Sequence, residues 1–159
     1  MDDSRIPLTP AGFEKLQDDL KKWKEEMPLI IKAIGVARDL GDLSENAEYH
    51  SARERQSLID ANIKNLEYII SRAQVIDPRK FDGDTKVRFG AFVTVHDEER
   101  DEDIEYQLVG DPEADIDQNR ISVNAPLGRA LAGREEGDDV KFKTPRGERR
   151  LSIVVVEYR

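Results

Sequence analysis

The stretch D-L-G-D-L-S-E-N-A-E-Y-H, residues 39–50, separates two long helical patterns and carries four carboxylates, Asp39, Asp42, Glu45 and Glu48. On its N-terminal side apolar residues recur at Phe13, Leu16, Leu20, Trp23, Met27, Ile30, Ile34 and Ala37, with spacings of three and four. That alternation is a heptad seam, the signature of a helix packing against another helix. Thr9 before Pro10 supplies an N-cap and a first-turn proline, so the first helix is expected from there to about Arg38, with a kink near Pro28. Read backward on the other side, Ala73, Ile70, Leu66, Ile63, Ile59, Gln56, Ala52, Tyr49 and Glu45 repeat the alternation. The stretch is therefore the tip of an antiparallel coiled-coil hairpin with an acidic end.

Beyond residue 75 the period changes. V-I-D-P and K-F-D-G-D read as a connector, and alternating strand patterns follow at 86–96, 104–110, 120–123, 139–144 and 149–158. Residues 124–133 read as one short helix, with Asn124 as its cap, Pro126 in its first turn and Gly133 as its terminator. The expected class is α+β: a coiled-coil hairpin over residues 1–78, then a small antiparallel sheet with one helix over 79–159.

Composition narrows the function. Charged residues make up 37% of the 159 and hydrophobic residues 38%, a balance that suits long solvated helices. The net charge of −9 argues against general affinity for nucleic acid or anionic lipid, although local basic patches stay open. The chain has no cysteine, which removes disulfides, thiol nucleophiles and cysteine zinc sites. No run approaches 18 apolar residues and the first residues lack an apolar stretch, so a cytoplasmic protein that avoids the membrane is expected.

Asp42 and Glu45 lie three apart, and that spacing supports two readings. They form a capping-box pattern, which spacing alone favours; within one helical turn they would also share a face and could hold a divalent cation through hard oxygen ligands. Asp39 and Glu48 are weaker candidates, since either could simply complete a charge pattern along the helix or favour a helix N-terminus electrostatically. Ser44 and Asn46 read as solvated turn residues, and Tyr49 as a seam residue. Arg38, Arg53 and Arg55 make a basic collar behind the acids. His50 and His96 are isolated in sequence and read as surface residues.

The tip G-D-L-S-E-N-A-E-Y-H, with A-Q-V-I-D at 73–77, F-G-A-F-V-T-V at 89–95, V-G-D-P-E-A-D at 109–115 and I-S-V-N-A-P-L-G-R-A-L-A-G at 121–133, resembles the bacterial transcript-cleavage (Gre) factors. A-E-Y-H-S-A-R-E at 47–54 resembles their GreA branch more than GreB. The resemblance spans nearly the whole chain. It implies an FKBP-like C-terminal domain and a monomeric accessory factor, not itself an enzyme, that enters the secondary channel of RNA polymerase. There it would stimulate the polymerase's own magnesium-dependent cleavage of the backtracked nascent RNA 3′ end. It implies that Asp42 and Glu45 assist a second magnesium ion shared with the polymerase, with none held by the free protein, and that Arg38 and Arg53 contact the RNA. Apart from the resemblance, the loop and helix at 124–133, with Pro126, Leu127 and Leu131, is a candidate polymerase contact, although core packing is the favoured reading of Leu127 and Leu131. Alternatives are a non-cleaving channel-binding regulator, an FKBP-like prolyl isomerase, for which the sheet's aromatics are few, and a chaperone-like coiled coil, for which the tip offers little beyond Leu40 and Leu43.

Overall fold

A computed structural model describes residues 4–41 and 45–159. The chain forms two compact units, one of Phe13–Arg72 and the other of Met1–Gly12 together with Ala73–Arg159. The opening residues therefore pack with the C-terminal unit, which differs from a single division after residue 78.

The Phe13–Arg72 unit is a helical hairpin. Helix α1 runs over Pro10–Arg38 and continues through Pro28, and α2 runs over Ala47–Arg72. Every expected seam position from Phe13 to Ala37 and from Tyr49 to Ile70 is buried or half-buried. Leu16, Ile34, Ala37, Ala52, Ile59 and Leu66 are the most enclosed. Ion pairs from Arg55 to Glu26 and from Lys24 to Glu67 tie the arms outside the seam. Arg55 is bidentate to Glu26 at 2.8 and 2.9 Å and lies over the Trp23 ring, 5.2 Å from its centroid. It therefore braces the two arms, and the collar behind the tip consists of Arg38 and Arg53 alone.

In the other unit β1 (Ile6–Leu8) pairs in parallel with β2 (Ala73–Val75), from Ile6 opposite Ala73 to Leu8 opposite Val75. Strands β3 (Phe92–Asp97), β4 (Glu102–Val109), β5 (Arg120–Ser122), β6 (Asp139–Thr144) and β7 (Gly147–Glu157) form a five-stranded sheet. Its order is β5-β4-β3-β7-β6. The sheet is antiparallel except that β5 joins β4 in parallel, which makes it mixed. The first expected strand shortens to β3, because residues before Phe92 contribute only an isolated bridge, Lys86 to Glu135.

Helix α3 (Pro126–Leu131) starts from Ala125, whose side chain makes no capping bond. Asn124, the expected cap, instead donates its amide to Asp111 at 2.9 Å. Gly133, at φ +80°, ends the segment in a left-handed conformation that favours glycine. Inward residues of β3, β4, β6 and β7 close the core with Leu131, and Phe81 meets Tyr158 edge to face at 5.6 Å.

The Glu113 carboxylate knits the N-terminal residues to this unit. Its side chain is 1% exposed; Oε2 accepts the N–H groups of Thr9 (3.0 Å) and Gly110 (3.1 Å), and Oε1 accepts from Arg120 at 3.2 Å. The Thr9 hydroxyl donates to Glu113 and accepts the Gly12 N–H at 3.1 Å, so it caps α1 while holding the buried acid. A Cβ on Gly12 would lie 1.9 Å from Glu113 Oε1, so only glycine fits there.

Candidate functional site at the hairpin tip

The first arm ends through local hydrogen bonding. The Asp39 N–H donates to the Gly35 carbonyl at 3.3 Å, and the Leu40 N–H to the Ala37 carbonyl at 3.1 Å. The second bond tightens the last turn. Gly41 follows at φ +137°, a conformation that L side chains rarely adopt. Asp42, Leu43 and Ser44 lie outside the described residues, so the expected roles of Asp42 and Ser44 have no geometry here.

The second arm starts at Asn46. Its Oδ1 accepts the Tyr49 N–H at 2.9 Å, and its backbone carbonyl accepts the His50 N–H at 3.1 Å, which makes Asn46 the N-cap of α2. The same side chain donates through Nδ2 to the Ala37 carbonyl at 2.6 Å, joining the arms. Sequence reading took Asn46 for a solvated polar residue. The missed signal was its place directly before the first periodic residue of the second arm, where an Asn is a strong cap.

This geometry changes the reading of the acids. Glu45 precedes the cap, is exposed and stands outside α2, so it neither lies on the seam nor caps the helix. Glu45 stands before the first turn of α2, which begins at Ala47, so the condition for a face shared within that turn is not met by Glu45. Glu45 and Glu48 instead border one concavity of about 450 Å³ with Leu40, Asn46 and Ala47. Glu48, exposed in the first turn of α2, thereby joins Glu45 as a second carboxylate on the same hollow. Among the described residues, no three His, Cys, Asp or Glu side chains are grouped closely enough to hold a metal ion.

Arg38 closes α1 and is exposed, as is Arg53 on α2, whose guanidinium donates to Gln56 at 3.0 Å. Tyr49 is half-buried on the seam with its ring edge-on to His50, at 5.6 Å between centroids.

The expected polymerase contact on α3 divides by burial. Pro126 is exposed and Leu127 packs partly against the core, but Leu131 is 0% exposed. Leu131 is therefore a core residue: it points into the sheet that α3 covers and offers nothing to a partner. The turn before α3 is held by Asp111, which accepts from Ser122 and Asn124; these bonds keep its carboxyl below the ordinary carboxylate range. His96, read as isolated, lies between Asp103 at 2.8 Å and Asp101 at 3.2 Å. The hydrogen bond to Asp103 raises its pKa. The sheet's aromatics are taken up in separate contacts: Arg159 lies over Phe92, Arg149 over Phe142, and Tyr158 stands in the core.

A family model described as transcription elongation factor, N-terminal, matches residues 6–75, and one described as transcription elongation factor, GreA/GreB, C-term, matches residues 82–158. The chain is 52% identical over 155 residues to transcription elongation factor GreA of Cereibacter sphaeroides strain ATCC 17029, covering 97% of this chain and 98% of that protein. It is 51% identical over 160 aligned positions to GreA of Francisella tularensis subsp. novicida, covering both chains completely. Among solved structures, the Gfh1 protein of Thermus thermophilus aligns at a TM-score of 0.44 with 28% identity, over 96% of this chain and 99% of that one. A GreA/GreB factor from Nitrosomonas europaea aligns at 0.44 with 24% identity, over 97% and 98%. Among the described residues no helix is long and apolar enough to cross a membrane.

Proposed function

The chain belongs to the GreA/GreB family of transcription elongation factors, and on that footing we propose that its hairpin enters the secondary channel of RNA polymerase and stimulates cleavage of backtracked nascent RNA. The factor is an accessory one: the polymerase supplies the catalytic centre, and this chain supplies groups that complete it. It works as a monomer in the cytoplasm, where its polymerase is.

One observation carries the reading. Asn46 takes over both the capping of α2 and the link between the arms, so Glu45, exposed just before the cap, is left free of a capping task. Acids concentrated at an exposed tip repel one another. A fold that keeps them there without using them for capping is suited to delivering them to a cation.

The donor set fits magnesium, which takes hard oxygen ligands and retains several waters. Glu45 and Asp42 would be its ligands from this chain, with Glu48 bordering the same hollow as Glu45. Asp42 and Glu45 would supply two of its ligands, and the polymerase and water would supply the others. When bound, the ion activates a water and neutralises charge developing on the phosphate. The chain's own residues orient and attract. The seam holds the arms side by side, Asn46 fixes where Glu45 emerges, and the exposed cations Arg38 and Arg53, one on each arm, draw the RNA phosphates toward the tip.

The test is to incubate a stalled, backtracked elongation complex with the full chain and magnesium and to size the RNA. Shortening of the 3′ end, dependent on both the chain and the polymerase, is expected. Binding without shortening would make the protein a channel-blocking regulator instead.

A further inference from the structure

The last third of α1 is apolar on more than its seam face. Ile30, Ile34 and Ala37 serve the seam, while Leu29, Ala33 and Val36 recur outside it, and Leu40, in the turn just past the end of α1, completes spacings of four, three and four. Of these, Leu29 is 68% exposed, Val36 57% and Leu40 64%. Toward the N-terminus the same helix face carries Glu25, Lys22 and Asp18, so the stripe starts abruptly at Leu29. Lower on α1 this face is charged. A helix with apolar residues on a second face has a second surface to bury. The fold does not bury this one, since the hairpin's own packing uses the seam residues.

We infer that Leu29, Ala33, Val36 and Leu40 form a docking face for an apolar surface of RNA polymerase along the passage that receives the hairpin, an inference that rests on the function proposed above. The three-four spacing is that of a helix face read by a neighbouring ridge or helix. A second copy of this chain is the competing occupant, and area argues against it. A stable protein interface buries about 800 Å² per partner, and four side chains along roughly 16 Å of helix fall well short. A contact this small adds affinity only where other contacts already hold the surfaces together. The polymerase contacts of the tip supply that setting, and the stripe is confined to the part of α1 beside the tip.

The experiment uses the full chain with a dye on its N-terminus and core RNA polymerase, reading the dissociation constant by fluorescence anisotropy. Leu29→Gln with Val36→Gln keeps helix propensity and disturbs only exposed positions, which circular dichroism checks. The expected result is a dissociation constant raised about tenfold or more. Lys22→Gln with Glu25→Gln, on the charged continuation of the stripe, stays within about twofold of the unchanged chain. At saturating concentration the stripe variant still stimulates the polymerase's cleavage of backtracked RNA, because the acids are intact. An unchanged dissociation constant overturns the inference. So does sedimentation showing a dimer of the unchanged chain that the stripe variant disperses, since the occupant is then a second copy. Should the unchanged chain bind polymerase without stimulating cleavage, the cleavage reading falls while the comparison of dissociation constants still decides the docking face.

Discussion

The Asn46 side-chain amide donates to the Ala37 carbonyl at 2.6 Å while its oxygen caps the Tyr49 N–H at 2.9 Å. One side chain thus ends one arm of the hairpin and begins the other. Asn46→Ala removes both bonds. The cap alone is worth about 1 kcal/mol and the cross-arm bond about another 1 kcal/mol, so urea unfolding should show a loss of about 2 kcal/mol. Asn46→Asp keeps the acceptor and loses the donor, and a smaller loss is expected. Equal losses for the two variants would show that the cap contributes nothing, and no loss in Asn46→Asp would show the same of the bond to Ala37.

Why this residue escaped the sequence reading is physical. The seam was legible from Phe13 to Ala37 and from Tyr49 to Ile70, because burial in a helical pair imposes a period that composition alone displays. Most strands were legible to within a few residues for the same reason. The cap was not: Asp42 and Asn46 both suit an N-cap, and what favours Asn46 is that it can also donate, with Ala37 as an acceptor nine residues away. The β1–β2 pairing and the Glu113 cluster were equally hidden, since they join residues 67 and 104 positions apart without any local pattern. Core packing was the favoured sequence reading of Leu131, and its complete burial decides for that reading over a partner contact.

At the Glu113 cluster, Gly12→Ala puts a methyl group onto the Glu113 carboxylate, 1.9 Å from Oε1 in the present geometry. The acid must move and leave the Thr9 and Gly110 N–H groups unpaired, at about 1–3 kcal/mol each. Chemical denaturation should therefore show a loss of at least 2 kcal/mol, roughly that of unpairing both groups. Gly35→Ala, where a Cβ meets nothing within 4 Å, should instead stabilise by up to about 1 kcal/mol. If Gly12→Ala is also neutral, the close approach is not a constraint.

Asp97 provides a pH test. Its side chain is 1% exposed. Burial alone would raise its pKa, but the Arg100 N–H, the Arg149 guanidinium and the Glu99 N–H together hold it below the ordinary 3.8. A depressed folded pKa contributes stability that is fully present above the unfolded value and is lost as pH falls through the folded one. The stability gap between the unchanged chain and Asp97→Asn should be constant from neutral pH to about 5 and shrink below about 4. Thermal denaturation across that range measures it; a gap that widens on acidification contradicts the assignment.

The arms should also act as a measured spacer. Deleting residues 16–22 together with 63–69 removes one heptad from each arm, keeps the seam in register and shortens the hairpin by about 10 Å. Magnesium coordination tolerates ligand errors of only a fraction of an ångström. Cleavage should disappear while circular dichroism shows an intact coiled coil. A shortened, folded protein that cleaves at the normal rate would refute the spacer role.

The central claim is that the tip acids act at a cation and leave the fold to Asn46. The direct measurement compares Asp42→Asn and Glu45→Gln with the unchanged chain for polymerase affinity, unfolding free energy and stimulated RNA cleavage. The account predicts cleavage lost by a factor of about 100 or more for each, affinity within about threefold, and stability within about 0.5 kcal/mol, because amides keep the shape but not the charge. Affinity and cleavage falling together, or cleavage surviving in both variants, would contradict it.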